Sequence, residues 1–162
     1  MKRLLTGLLV MAIAVGLGFA ARTWLFTTVR IAGSSMEDTL LSGDLLLLTR
    51  FSEPERGSVM QCTFTGRSGS YIKRVVGLPG DTIEFAKGQL IVNGRPLSEP
   101  YVSSETEDMR ITLGEDEYFV LGDNRAESYD SRAEDMGCIH RDQFFGRARW
   151  ILFPLSRFGP VE

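Results

Sequence analysis

The chain divides by its hydrophobic pattern into an apolar head and a body of short alternating segments. Residues 4–21 are apolar at nearly every position, broken only by Thr6 and glycines. Residues 23–26 extend the run to the roughly 20 residues that cross a bilayer as a helix. Lys2 and Arg3 precede it and predict a cytoplasmic N-terminus with the remainder on the far side, although Arg22 and Arg30 oppose that bias. A cleavable signal peptide shares the basic start, the apolar run and small residues such as Gly18 and Ala20. Apolar character resumes at Trp24, Leu25 and Phe26, where an interfacial aromatic belt would sit on a retained anchor, and this favours the anchor. Either reading exports the rest of the chain. The expected division is a cytoplasmic N-terminus and transmembrane anchor over 1–28, then an extracytoplasmic domain over 29–162.

Beyond the head the period is that of strands, punctuated by glycine and proline turns, and no segment shows an amphipathic helical repeat. Residues 45–50 form a buried-type apolar run, and 59–64 and 71–76 are β-branched and aromatic. Leu78-Pro79-Gly80-Asp81 predicts a turn, followed by strands at 82–85 and 89–92 around Lys87-Gly88. Asn93-Gly94 predicts a hairpin with a short return. Strands at 117–121 and 144–153 complete the set, and polar residues 103–108 read as loop. The predicted fold is mainly β: an antiparallel sandwich- or barrel-like domain preceded by one transmembrane helix.

Composition removes several function classes. The chain has 18 basic and 21 acidic residues with no long block of either sign, so it lacks the basic footprint of a nucleic-acid binder. Cys62 and Cys138 lie far apart and His140 is the only histidine, which argues against a metal site. Two unlinked small apolar residues is the plainer reading of the cysteines, with one disulfide as the alternative in an oxidising compartment. No cofactor is implied.

The candidate chemistry rests on a serine and an amine. A serine hydroxyl needs a neighbour to remove its proton. His140, between Ile139 and Arg141 near a strand entry, reads as a partly exposed structural residue. A lysine serves only if burial lowers its pKa from the usual value of about 10.4. Of three lysines, Lys2 is terminal and Lys87 sits in a turn, whereas Lys73 lies among Ile72, Val75 and Val76. Spacing alone leaves a snorkelling or salt-bridged Lys73 equally open. Ser70-Tyr71-Ile72-Lys73 also matches the Ser-x-x-Lys pattern of penicillin-binding enzymes, but that pattern needs a helix, and in a strand residues three apart face opposite ways.

In order, residues 30–40 (RIAGSSMEDTL), 71–81 (YIKRVVGLPGD), 122–132 (GDNRAESYDSR) and 146–154 resemble the sequence boxes of bacterial type I signal peptidases, the Ser-Lys proteases of family S26. The resemblance covers most of the chain. It implies a membrane-bound endopeptidase that removes signal peptides from secretory preproteins at the phospholipid membrane. Ser35 would be the nucleophile and Lys73 the general base. Ser128 would hold the lysine amine, and Asp130 and Arg132 would pair and brace that loop. The oxyanion hole would use the Ser35 backbone N–H with the Gly33 or Ser34 region. Relatives that carry a serine where this chain has Gly33 add its hydroxyl; the glycine variant implies backbone donors or a water. Ile31, Ala32, Met36, Leu40, Tyr71 and Ile72 would line the pocket for the residue before the scissile bond, with Leu40 also readable as plain core.

The chain departs from the pattern at Asp38, where a proline is usual, and beside it at Glu37. It departs again at Arg56-Gly57-Ser58 and Ala126-Glu127. Two other readings stay open on the residues. One is a self-cleaving Ser-Lys regulator, which predicts a DNA-binding domain where this chain has its apolar head. The other is an anchored β domain that binds exported partners without chemistry.

Overall fold

A computed structural model describes residues 2–37, 39–102 and 106–161; Asp38 and the 103–105 part of the expected polar loop lie outside the described residues. Helix α1 (Lys2–Leu25) is rich in Leu and Ala, which cost little in a helix, and contains no proline. Its described side chains are exposed, and Thr6–Leu25 is long and apolar enough to cross a membrane, with mean hydropathy 1.8. The helix therefore has no apolar seam for packing on the domain.

No linker separates α1 from the sheet. Strand β1 (Phe26–Arg30) begins at the next residue, where Thr27, Thr28 and Val29 favour extended backbone. The division expected between residues 28 and 29 thus falls inside β1, and Phe26 belongs to the sheet. An apolar run that continues from helix into strand hides the boundary.

Beyond β1 lie β2 (Leu45–Thr49), β3 (Val59–Cys62), β4 (Tyr71–Gly77), β5 (Thr82–Ala86), β6 (Gln89–Val92) and β7 (Arg95–Pro96). After them come β8 (Met109–Thr112), β9 (Phe119–Leu121), β10 (Phe144–Phe153) and β11 (Gly159–Pro160). The larger sheet runs β1-β2-β10-β3-β4-β9 with β11 on β10, and the smaller runs β7-β6-β5-β8. All pairings are antiparallel, so the mainly β expectation holds. Lys87-Gly88 and Asn93-Gly94 close the β5–β6 and β6–β7 hairpins with positive φ at both central residues, the twist that two-residue hairpin loops require.

Several sequence expectations shift. The run at 45–50 is not buried on both faces: Leu46 and Leu48 are fully buried, while Leu45 and Leu47 face a half-open side. The strand expected at 117–121 begins at Phe119, with Tyr118 in a lone bridge to Ile139. Strand β3 stops at Cys62, short of Phe64. Strands β8 and β11 are additions to the expected set, because four residues with two polar positions and a Gly-Pro pair carry almost no strand signal.

The core around β2 joins Ile31, Met36, Leu40, Leu46, Leu48, Val59, Ala148 and Ile151. Both cysteines are free, Cys62 buried and Cys138 partly so. His140 is half exposed, its Nδ1 3.0 Å from the Asp116 carbonyl oxygen, in keeping with a structural role.

Candidate active site

Strand β4 carries two charged residues side by side, and both are buried: Lys73 and Arg74 are each 2 % exposed. Neighbours on a strand face opposite ways, so each needs its own partner.

Lys73 Nζ donates to Ser128 Oγ at 3.0 Å and makes no ion pair with any described residue. At 2 % exposure the amine does not snorkel, and no described residue forms a salt bridge with it. Burial pushes the amine below the ordinary lysine range and Arg132 adds to this, while Asp130, Cys62 and Asp123 pull the other way. By contrast Ser70 is exposed and its hydroxyl accepts from Gln61 Nε2, so the false Ser-x-x-Lys pair points apart.

The loop after β9 holds Ser128. Gly122 N–H donates to Ser128 Oγ at 3.1 Å and to Asp130 Oδ2 at 2.9 Å, and Ser128 Oγ donates its own proton to Asp130 Oδ2. Asp130, 1 % exposed, also pairs with Arg132 through Nε at 2.8 Å and Nη2 at 3.1 Å. Arg132 Nη2 closes the loop on the carbonyls of Arg125 and Ser128. With its proton committed to a carboxylate, Ser128 can only accept from Lys73. A neutral Lys73 therefore keeps its lone pair.

Ser35 lies in the turn after β1, which Gly33 opens at φ +100°, a region that disfavours any side chain. Asn124 fixes this turn: its N–H donates to the Ser35 carbonyl at 3.1 Å and its Nδ2 to the Ser34 carbonyl at 3.2 Å. The N–H of Ser35 has no acceptor among the described residues. Gly122 sets the closeness of the two loops. A Cβ there would fall under 3.0 Å from both Ser128 Oγ and the Ser35 carbonyl oxygen.

Sequence reasoning missed the groups behind this pair. Arg74 forms a bidentate, fully enclosed pair with Asp123 (2.9 and 2.7 Å), its guanidinium 3.9 Å from the Tyr101 ring centroid. Thr39 Oγ1 donates to the same carboxylate at 2.5 Å, tying the serine turn to β4 and the third box. Arg125 Nε donates to the Gly122 carbonyl at 3.0 Å and Nη2 to Glu99 at 2.5 Å. A visible signal existed for Arg74: two adjacent cations in a β-branched run demand two sets of partners.

A cavity of about 230 Å³ opens beside Ser35, walled by Ile31, Ala32 and Met36 on one side and Ser70, Tyr71 and Ile72 on the other. Leu40, expected in this wall, is fully buried in the core and does not reach it. Its hydrogen-bonded turn to Met36 faces inward. Three strands separate β1 from β4 in the sheet, so the sheet curls until both line one cavity. Among the described residues, strand β1 pairs only with β2, and β4 meets β9 only from Arg74 onward. Residues 71–73 thus present a free strand edge.

Fold and site together define the class of protein, a peptidase built on antiparallel sheets. The chain belongs to the signal peptidase family, peptidase family S26, whose family model matches residues 4–153. It is 34% identical to signal peptidase I P of Bacillus subtilis subsp. natto over 160 residues, covering 89% of this chain and 86% of that one. It is 35% identical to a probable signal peptidase I-2 of Synechocystis, covering 92% of this chain and 73% of that one. Among solved structures it resembles a signal peptidase I from Enterococcus faecalis V583, with TM-score 0.53, 32% identity, and coverage of 59% of this chain and 97% of the other.

Proposed function

We propose that this chain is a membrane-anchored signal peptidase that cleaves signal peptides from exported preproteins with Ser35 as nucleophile and Lys73 as general base. The observation that carries the reading is the hydrogen-bond order at Lys73: a buried amine with no carboxylate partner among the described residues, beside a hydroxyl whose proton is already given to Asp130. In the reaction, neutral Lys73 takes the proton of Ser35 Oγ as the oxygen attacks the scissile carbonyl. The oxyanion forms against the Ser35 N–H, which has no acceptor among the described residues, with the Gly33 and Ser34 region completing the hole. Lys73 then returns the proton to the leaving amine, and a water deprotonated by Lys73 cleaves the acyl-enzyme. Ser128 orients the amine, and Asp130 with Arg132 holds Ser128.

The preprotein would lie extended between the free edges of β1 and residues 71–73, adding main-chain hydrogen bonds to both. The cavity of about 230 Å³ beside Ser35 would take the small residue before the cut. Helix α1 would span the membrane, with Lys2 and Arg3 in the cytoplasm and the β domain outside. Because α1 enters β1 without a linker, the groove stays close to the bilayer from which signal peptides emerge.

Ser35→Ala is expected to reduce preprotein cleavage by at least about 10⁴-fold while leaving the fold intact, since the side chain is partly exposed and makes no hydrogen bond with a described residue. A gel-based cleavage assay on purified protein reads this. Full activity in that variant sinks the mechanism.

A further inference from the structure

We infer that the turn after β2 forms a binding site for the headgroup of an anionic phospholipid, with Arg50 as its cation; this rests on the reading of α1 as a membrane span. The turn is fastened to the end of that helix. Arg50 N–H donates to the Leu25 carbonyl at 2.8 Å, and the rings of Trp24 and Phe51 lie 6.0 Å apart, centroid to centroid. Wherever the helix leaves the bilayer, this turn sits beside it at headgroup depth.

The turn projects apolar rings outward. Phe51 is 69 % exposed and held at φ +56°, in the left-handed region that costs a residue bearing a Cβ. Phe145 is also half exposed. In water these rings gain nothing; against acyl chains they anchor.

Between them opens a cavity of about 460 Å³ lined by Thr27, Arg50, Phe51, Ser52, Arg141 and Phe145 among others, with no carboxylate among the described residues of its wall. Arg141 is neutralised by Glu53 through two bonds of 2.6 and 2.8 Å. The Arg50 side chain has no partner among the described residues. Arg22 lines a second cavity that shares Thr27, again without a carboxylate among its described lining residues. An uncompensated guanidinium over hydroxyls, flanked by exposed rings and fixed to a membrane helix, is complementary to a lipid phosphate. The net charge of the chain is −3, so this end is cationic against the average.

The test uses full-length protein carrying Trp150→Phe, which leaves Trp24 as the only tryptophan. It is reconstituted in phosphatidylcholine vesicles containing either brominated phosphatidylglycerol or brominated phosphatidylcholine, and quenching of Trp24 fluorescence is measured. Phosphatidylglycerol is expected to associate about fivefold more strongly than phosphatidylcholine, the preference one interfacial arginine supplies. Arg50→Gln should remove most of that preference, leaving only what Arg22 supplies, and Arg50→Lys should retain most of it. Equal quenching by the two lipids, or a preference untouched by Arg50→Gln, overturns the site. Absence of quenching by either lipid overturns the membrane anchor itself, which separates the two failures.

Discussion

Lys73→Ala is expected to lower preprotein cleavage by at least about 10⁴-fold, because no other described group can take its place as base. Lys87 lies in a hairpin turn, and the ring of His140 is engaged with Asp116. Both alternatives are therefore tied to other sites. The loss should be chemical rather than structural. Ser128 Oγ keeps its bonds to Gly122 and Asp130 when the amine is gone, so the third box remains anchored. Lys73→Met, which retains most of the buried volume, separates the two causes: its thermal midpoint should stay near that of the parent while activity is lost. Retained activity in either variant contradicts the role of this amine.

Gly122→Ala should also be strongly damaging, at a position that carries no side chain of its own. The added methyl would sit closer than 3.0 Å to the Ser35 carbonyl, the Ser128 hydroxyl and the Ser128 Cβ at once. None of these is the free end of a flexible chain, so the serine turn and the Ser128 loop must move apart. A displacement of about 1 Å between nucleophile and base costs on the order of 100-fold in rate. The expected result is a fall of that size in kcat, with a lowered melting temperature read by circular dichroism. Near-parental kcat would show that the two loops tolerate separation. Gly33 provides the contrast, since a Cβ there meets nothing within 4 Å and the objection is its φ alone.

Features are legible in the sequence to the extent that their signals are local. Lys73, Ser128, Asp130 and Arg132 lie in two short motifs, and the structure brings all four into one hydrogen-bonded group. Asn93-Gly94 marks its hairpin because the turn chemistry is contained in two residues. Strand β1 is hidden, since apolar residues run through the helix end into the sheet without a polar break. Motif position puts Leu40 in the substrate wall, but the turn that positions Ser35 needs an inward anchor and uses this side chain. The Arg74–Asp123 and Arg125–Glu99 pairs are invisible because they span 49 and 26 residues, and only the fold reveals which of 21 acidic residues answers each buried arginine. These pairs fix the spacing between the serine turn, β4 and the third box.

The proposed chemistry rests on a lysine that works in its neutral form. Burial holds the Lys73 amine below its ordinary value of 10.5, and only the unprotonated fraction can accept the Ser35 proton. As pH rises through that lowered pKa the neutral fraction grows, so activity must rise with it. The most direct measurement is kcat/KM for a signal-peptide substrate from about pH 6 to pH 9. The predicted result is a single ascending limb with an apparent pKa well below that of a free lysine; a flat profile across that range would contradict a lysine base.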